Sequence, residues 1–468
     1  MEVFKIIYSV LGGLGIFFFG MKSMSEALQS VAGDLVRKTI ATITKHRVYS
    51  VLVGTIVTVI VQSSSVTTVM VVGFVNAGLM NLTQAIGVIF GANIGTTITG
   101  WIISIKVGKY GLLFIGLGIF PLLFGKTNKW RQIGKVMFGV GMIFFGLDIM
   151  SNAFKPLRSM PEFLDMISYF NGQNYGSYLA CIAVGCILTM IIQSSSAMLG
   201  ITMALATTGV IQFHTAAALV LGENIGTTIT ALLAAVGGNV SAKRAGYAHA
   251  IFNLLGVMIV FTIFPLYIKM IDFFVPGDPN FVDAAGEIPN IAVHIASGHT
   301  IFNVTATLLF LPFIHNLARL VTKLVPERKK KEQYHLVMLG EPRDMIPATA
   351  LAQAQAEVKK MNEIVSRMYE MTKDIFLEKG TMSHGEAVSK SKDYEKITDN
   401  IQKEVTVFIV KLMESPLSAQ ESRLATSLLK ESDELESIAD YLDRLCSYSL
   451  RTPLDQILVK ESKEEFLN

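Results

Sequence analysis

Gly91-Ala-Asn-Ile-Gly-Thr-Thr-Ile-Thr99 and Gly222-Glu-Asn-Ile-Gly-Thr-Thr-Ile-Thr230 agree at eight of nine positions. Each follows a polar cluster, Gln62-Ser63-Ser64-Ser65 and Gln193-Ser194-Ser195-Ser196. In both copies the glutamine stands 29 residues before the first glycine. A third echo opens each copy: Gly13-Leu-Gly-Ile-Phe-Phe-Phe-Gly20 returns as Gly139-Val-Gly-Met-Ile-Phe-Phe-Gly146. The chain carries an internal duplication, with the first copy over about 1–131 and the second over about 132–325.

The motifs lie in chain that has almost no charge. No Asp, Glu, Lys or Arg occurs over 48–105, 166–222, 245–268 or 288–318. Of the 77 charged residues in the 468-residue chain, 30 fall in residues 1–325 and 47 in the last 143. An apolar body and a charged tail imply two solvents, lipid and then water. Half the residues are hydrophobic and the net charge is only +3, which excludes a disordered chain and a basic nucleic-acid binder. Three cysteines cannot build a disulfide scaffold. The apolar run from Ile6 to Met21 lacks the basic start and small-residue cleavage site of a signal peptide and reads as a retained helix.

A spanning helix needs ~20 apolar residues. Seven such spans are expected, at roughly 5–29, 83–104, 109–125, 132–154, 213–236, 246–270 and 291–322. The serine clusters interrupt two further apolar runs. Backbone that leaves helical geometry at membrane depth must be buried in protein or line a cavity. Residues 48–79 and 175–210 are therefore read as re-entrant helical hairpins tipped by serines. With the N-terminus outside, the inner loops carry Arg37, Lys38, Lys45 and Arg47, then Lys126, Lys129 and Arg131, then Lys243 and Arg244, and last the run from Arg328 to Lys331. The outer loops carry Lys106, Lys109, Lys155 and Arg158, then the acidic Asp278, Asp283 and Glu287. The bias follows the positive-inside rule and puts the tail in the cytoplasm. Three crossings separate the starts of the two copies, so the second copy is inverted. The expected fold is all-α: inverted repeats with broken helices meeting at the midplane, the architecture of secondary transporters.

The serine clusters offer hydroxyls, amides and the free ends of half-helices. Helix N-termini favour anions and C-terminal carbonyls favour cations. Asn93, Thr96, Thr97 and their copies Asn224, Thr227 and Thr228 add oxygen ligands suited to a hard cation such as sodium. Gly95 and Gly226 would let the backbone open. No Lys or Arg lies in these motifs, so a bound anion would depend on dipoles, hydroxyls and co-bound cations. Glu223 replaces Ala92 of the first copy; it reads as a cation ligand, a proton site or half of an internal pair. Lys22 and Asp148 hold equivalent positions, and either pair across the pseudo-twofold axis or act independently at helix ends. His249-Ala-Ile-Phe-Asn253 and His299-Thr-Ile-Phe-Asn303 lack metal-ligand spacing and read as packing elements, with the asparagines as secondary pore candidates. No nucleophile–base pair, P-loop or zinc spacing is present, so neither an enzyme nor an ATP-driven pump is expected.

Paired Gln-Ser-Ser-Ser clusters, each followed by Gly-x-Asn-Ile-Gly-Thr-Thr, resemble the type II sodium/phosphate cotransporters in a bacterial form. The resemblance covers about residues 1–325. It implies symport of inorganic phosphate with Na+ across the plasma membrane by alternating access; the alternatives are a membrane-tethered phosphate sensor and a transporter or exporter of another oxyanion. Phosphate would meet Ser64, Ser65, Ser195 and Ser196, with Asn93 and Asn224. Sodium would meet Gln62, Ser63, Gln193 and Ser194, with Thr96, Thr97, Thr227 and Thr228. Glu223 departs from the small residue expected there, which bears on the number of coupled ions. No organic cofactor or nucleic acid is implied; lipid, phosphate and sodium are, and a homo-oligomer is left open by the sequence.

Beyond a linker at 326–346, three amphipathic helices are expected at about 347–379, 384–414 and 418–450, a three-helix bundle within a domain at 347–468. Capping boxes Ser383-x-x-Glu386 and Ser418-x-x-Glu421 open the second and third, and Gly380 and Pro416 separate them. Val358, Met361, Val365, Met368 and Ile375 form the apolar face of the first. This tail resembles a PhoU-type domain, a regulatory helical module. Glu395 with Asp399, and Glu436 with Asp440, each place two carboxylates on one helix face. The resemblance implies that such pairs can bind metal, although one bundle is present where two are usual, and acidic faces are commonly just solvated.

Overall fold

The computed structural model describes residues 2–41, 46–76, 78, 80–105, 110–160, 170, 174–236, 238–283, 288–326, 347–377, 383–415 and 417–449. The loop lysines 45, 106 and 109, Glu287, the run from Arg328 to Lys331, the breakers Gly380 and Pro416, and residues 450–468 lie outside them. So do the side chains of Arg37 and Lys38. Contacts divide the chain into two units, residues 1–75 with 80–326, and residues 76–79 with 327–468. Among the described residues the secondary structure is helical throughout, without a strand.

In the first unit α1 spans Glu2–Ala41, α2 Arg47–Val61, α3 Ser64–Asn76, α4 Leu82–Ser104, α5 Gly111–Phe124 and α6 Asn128–Phe154. The second copy continues with α7 Tyr175–Ile192, α8 Ser195–Thr207, α9 Phe213–Gly226, α10 Thr228–Val236, α11 Val240–Thr262, α12 Phe264–Phe274, α13 Ile291–Phe310 and α14 Ile314–Leu324. The equivalent helices α1 and α6 pack face to face through their repeated glycines. A Cβ on Gly20 would lie 2.7 Å from the carbonyl oxygen of Gly139, and one on Gly139 2.7 Å from that of Gly20. Gly13 and Gly146 oppose each other in the same way. This register runs one helix against the other, so the two copies are inverted.

A second glycine seam recurs in each copy. Gly54 and Gly91 press α2 onto α4 at the carbonyls of Val88 and Val51; 131 residues later, Gly185 and Gly222 press α7 onto α9 at Leu219 and Ile182. The motif glycines thus serve close approach. Helix α4 continues unbroken through Gly95, where a Cβ would lie 2.7 Å from the carbonyl oxygen of Thr55. In the second copy the helix is interrupted at Thr227, directly after Gly226.

Among the described residues, seven helices are long and apolar enough to cross a membrane: 4–30, 82–104, 128–159, 175–192, 213–236, 240–262 and 291–324. The set differs from the sequence reading in two places. It includes Tyr175–Ile192, read as a hairpin arm, and omits the span expected at 109–125, where α5 has only 14 residues and contains Pro121. Two other expected spans are broken by prolines, which lack the N–H a helix needs. The span at 246–270 stops at Ile263 ahead of Pro265, and that at 291–322 passes through a 3-10 turn, Leu311–Phe313, containing Pro312. The buried core between the copies includes Phe17, Ile143, Met150, Leu199, Phe213 and Phe302. Phe90 of α4 stacks on Phe252 of α11 with ring centroids 4.3 Å apart.

The second unit holds α15 Pro347–Leu377, α16 His384–Met413 and α17 Ala419–Ser449. Both capping boxes form: Ser383 and Glu386 exchange side-chain-to-backbone bonds, as do Ser418 and Glu421. Val358, Met361, Val365, Met368 and Ile375 are all buried.

A Cβ at Gly91 would overlap backbone, whereas nothing lies within 4 Å of one at Gly12. Gly91→Val is expected to destabilise the protein by about 2 kcal/mol or more, and Gly12→Ala to leave it unchanged or slightly more stable. Thermal unfolding of the detergent-purified protein reads the contrast, and equal melting temperatures for the two variants would refute the seam.

Candidate functional site

Helix α2 ends on Gln62 and α7 on Gln193, and both residues have φ 57° and ψ 23°. Among the described residues these are the only positions other than glycine with positive φ. A left-handed side-chain-bearing residue costs ~1–2 kcal/mol, and such strain clusters at functional sites. Each glutamine N–H closes the preceding helix on a threonine carbonyl, Thr58 or Thr189, at 2.7 Å. The chain then restarts as a helix within two residues, with Ser63 and Ser194 as caps: their hydroxyls accept from the N–H groups of Val66 and Ala197 at 3.2 and 3.3 Å. Ser64 and Ser195 open α3 and α8.

Both tips line one cavity of about 190 Å3. Gln62 to Ser65 form one wall, Gln193 to Ser196 another, and α1 contributes Phe18, Met21, Lys22 and Ser25. Helix α1 also settles a backbone group freed by the break, since the Ser25 hydroxyl donates to the carbonyl of Val61 at 2.6 Å. The two tips are not equivalent in detail. The Gln62 amide oxygen accepts from Thr99 at 3.2 Å and its nitrogen donates to the Val59 carbonyl, whereas among the described residues the Gln193 side chain has no hydrogen-bond partner.

The Asn-Ile-Gly-Thr-Thr side chains lie apart from this cavity. Asn93, Thr96 and Thr97 donate to carbonyls of their own helix, at Ile89, Ala92 and Ile94, and Asn224, Thr227 and Thr228 do the same at Val220, Glu223 and Ile225. Asn224 is further tied to α13, its amide oxygen accepting from Asn303 at 3.3 Å. Glu223, 2 % exposed, accepts from Thr202 of α8 at 2.8 Å. Asn303 and Asn253 each donate to the carbonyl of the histidine four residues earlier, His299 and His249.

Lys22 and Asp148 do not meet. In the antiparallel register fixed by Gly13, Gly20, Gly139 and Gly146 they stand eleven residues apart along the helix pair, roughly 16 Å at the α-helical rise. Asp148 borders a different cavity of about 150 Å3 together with Ser104, Ser151 and Thr207, and accepts from Asn152 at 3.1 Å. The sequence reading sets Lys22 in a pair with Asp148 or at a helix end, and does not place it in this cavity wall. The signal was the repeated Phe-Phe-Gly segment, whose packing fixes which face of α1 turns to the serines.

In the second unit Glu395 and Asp399 of α16 lie near Glu436 and Asp440 of α17. Asp399 pairs with Lys403 at 2.7 Å and Asp440 with Arg444 at 2.6 Å. Among the described residues no three His, Cys, Asp or Glu side chains form a group able to hold a metal ion. Burial, then the charges of Asp443, Asp399, Asp440 and Glu436, push the Glu395 carboxyl above its ordinary range.

Comparison with known proteins names what this arrangement belongs to. The profile of the Na+/Pi-cotransporter family matches residues 16–152 and 167–271. The chain is a member of the Na+/Pi-cotransporter family. Residues 358–448 match the PhoU domain, so this is a membrane protein of a phosphate-transporter family with a PhoU domain at its C-terminal end. The uncharacterised protein YqeW of Bacillus subtilis is 34 % identical over 330 residues, covering 69 % of this chain and 99 % of its own. YjbB of Salmonella typhimurium, whose name assigns it provisionally to inorganic phosphate export, is 24 % identical over 94 % of this chain and 77 % of its own. The sodium-dependent phosphate transport protein 2A of Rattus norvegicus is 38 % identical over 100 residues, 20 % of this chain and 15 % of its own. No solved structure matches the chain.

Two outcomes follow from these environments. Gln193→Gly removes a strained side chain without a recorded bond, and is expected to hold or raise stability by up to about 1 kcal/mol, read by thermal unfolding; a clear loss would show that the side chain has a structural partner. For Glu395, a raised folded-state pKa means stability present below the ordinary carboxylate range and lost as pH rises through the group's titration. Glu395→Gln is therefore expected to strengthen α16 by ~0.5 kcal/mol at neutral pH, seen as roughly twofold slower amide exchange there and vanishing in acid. Unchanged exchange would contradict this.

Proposed function

We propose that this protein carries inorganic phosphate across the plasma membrane together with sodium, by alternating access through the serine-lined cavity. The observation that carries the reading is that two half-helix starts from inverted copies share one cavity. Free N–H groups and the dipoles of α3 and α8 favour an anion there. Ser64, Ser65, Ser195 and Ser196 add hydroxyl donors and take the phosphate. The oxygens of Gln62, Ser63, Gln193 and Ser194 suit sodium, a hard cation. Asn93, Thr96, Thr97, Asn224, Thr227 and Thr228 join only in a state that exchanges their helix-carbonyl bonds for a ligand.

The rat relative is named for sodium-dependent transport and the Salmonella relative for export. Inward transport is the reading we adopt, because an inward sodium gradient supplies about 1.4 kcal/mol per ion per tenfold ratio. The membrane potential adds ~2.3 kcal/mol per net charge per 100 mV. The PhoU domain on the cytoplasmic side then regulates this flux.

Labelled phosphate uptake into proteoliposomes tests the coupling. Uptake is expected to rise at least tenfold when an inward sodium gradient replaces choline, and equal uptake in both would remove sodium from the scheme. Net efflux driven without sodium would establish the export reading instead. Ser64→Ala and Ser195→Ala are each expected to abolish uptake while the protein still elutes as a single folded species; near-normal transport in both would move the phosphate site elsewhere.

A further inference from the structure

We infer that Lys22 supplies the cavity with its own positive charge, so that an inorganic oxyanion binds there before sodium does. This rests on the reading of the cavity as the phosphate site. Among the described residues Lys22 is the only charged side chain in the cavity wall; the rest are glutamines, serines, Phe18 and Met21. The nearest carboxylate on its own helix, Glu26, is one turn away and already committed: it pairs across to Lys135 of α6 at 2.5 Å. Asp148, its counterpart in the repeat, lies in another cavity. Among the described residues Lys22 thus has no recorded ion-pair partner. An ionised side chain in a membrane body faces a wet cavity or a ligand.

The cavity therefore combines one full positive charge with two helix N-termini, each worth roughly half an elementary charge. The same tips also carry the C-terminal ends of α2 and α7, whose negative half-charges offset those of the two N-termini, so among the described residues the lysine is the one full charge in the wall. A charge-assisted bond from an ammonium to a phosphate oxygen is about twice as strong as a neutral one, so the lysine sets anion affinity. Sodium then acts on the loaded site, governing translocation more than capture.

The test is equilibrium binding of labelled inorganic phosphate to the full-length protein in detergent, with choline replacing sodium. Wild type is expected to bind saturably. Lys22→Gln is expected to weaken binding at least tenfold and Lys22→Arg to recover most of it. Phosphate should also slow acylation of Lys22 in the wild-type protein by an amine-reactive reagent, whereas chloride at equal ionic strength should not. Binding that appears only with sodium, or is equal in Lys22→Gln and wild type, overturns the inference and leaves the phosphate reading standing. Should Lys22→Gln not fold, unaltered acylation in the presence of phosphate overturns it equally. Absence of phosphate binding even with sodium removes the phosphate reading, and this inference with it.

Discussion

A helix broken inside lipid exposes carbonyls and N–H groups that only protein can satisfy. That requirement organises the membrane unit. At Gln62 the break is closed by the glutamine's own N–H on Thr58, by Ser25 on the Val61 carbonyl and by Thr99 on the glutamine amide. Ser25 comes from α1 and Thr99 from α4, so both helices must sit close to the hairpin. For α4 the Gly54–Gly91 seam provides that closeness by removing the side chains that would hold the backbones apart.

Much of this was legible in the amino-acid sequence because duplication supplies its own control. A single Gln-Ser-Ser-Ser cluster in an apolar helix reads equally as interhelical glue. Two at matched spacing mark a structural device. What the sequence concealed was the division of labour. Gly-x-Asn-Ile-Gly-Thr-Thr looks like an opened, ligand-facing backbone, yet Gly91 and Gly222 are contact points and the asparagines and threonines bond back to their own helices. Oxygen-bearing residue types suit both ion ligation and helix satisfaction, and spacing cannot separate the two uses. The short α5 and the breaks near Pro265 and Pro312 were hidden by a simpler cause: hydropathy records apolar length and is blind to whether the helix continues.

Lys22 belongs to neither motif. Its place in the wall follows from the three-dimensional register of α1 on α6, which also carries Asp148 away from it. The repeat therefore sets equivalent positions with opposite charges beside two different cavities, one lined by the serines and one by Ser104, Ser151 and Thr207. The C-terminal helical unit was more transparent, because capping boxes and a 3.6-residue apolar rhythm are local signals needing no partner to be read.

The Thr202–Glu223 bond has a consequence for symmetry. Counting back 131 residues, the same two sites in the first copy hold Val71 and Ala92, both buried and incapable of such a bond. An apolar couple in one half answers a polar couple in the other, as though the two sites had diverged as a unit. Were the halves identical, any shape of the molecule and its role-exchanged counterpart would be degenerate. The Thr202–Glu223 couple, whose residues are absent from the shared cavity wall, is one of the differences that remove that degeneracy.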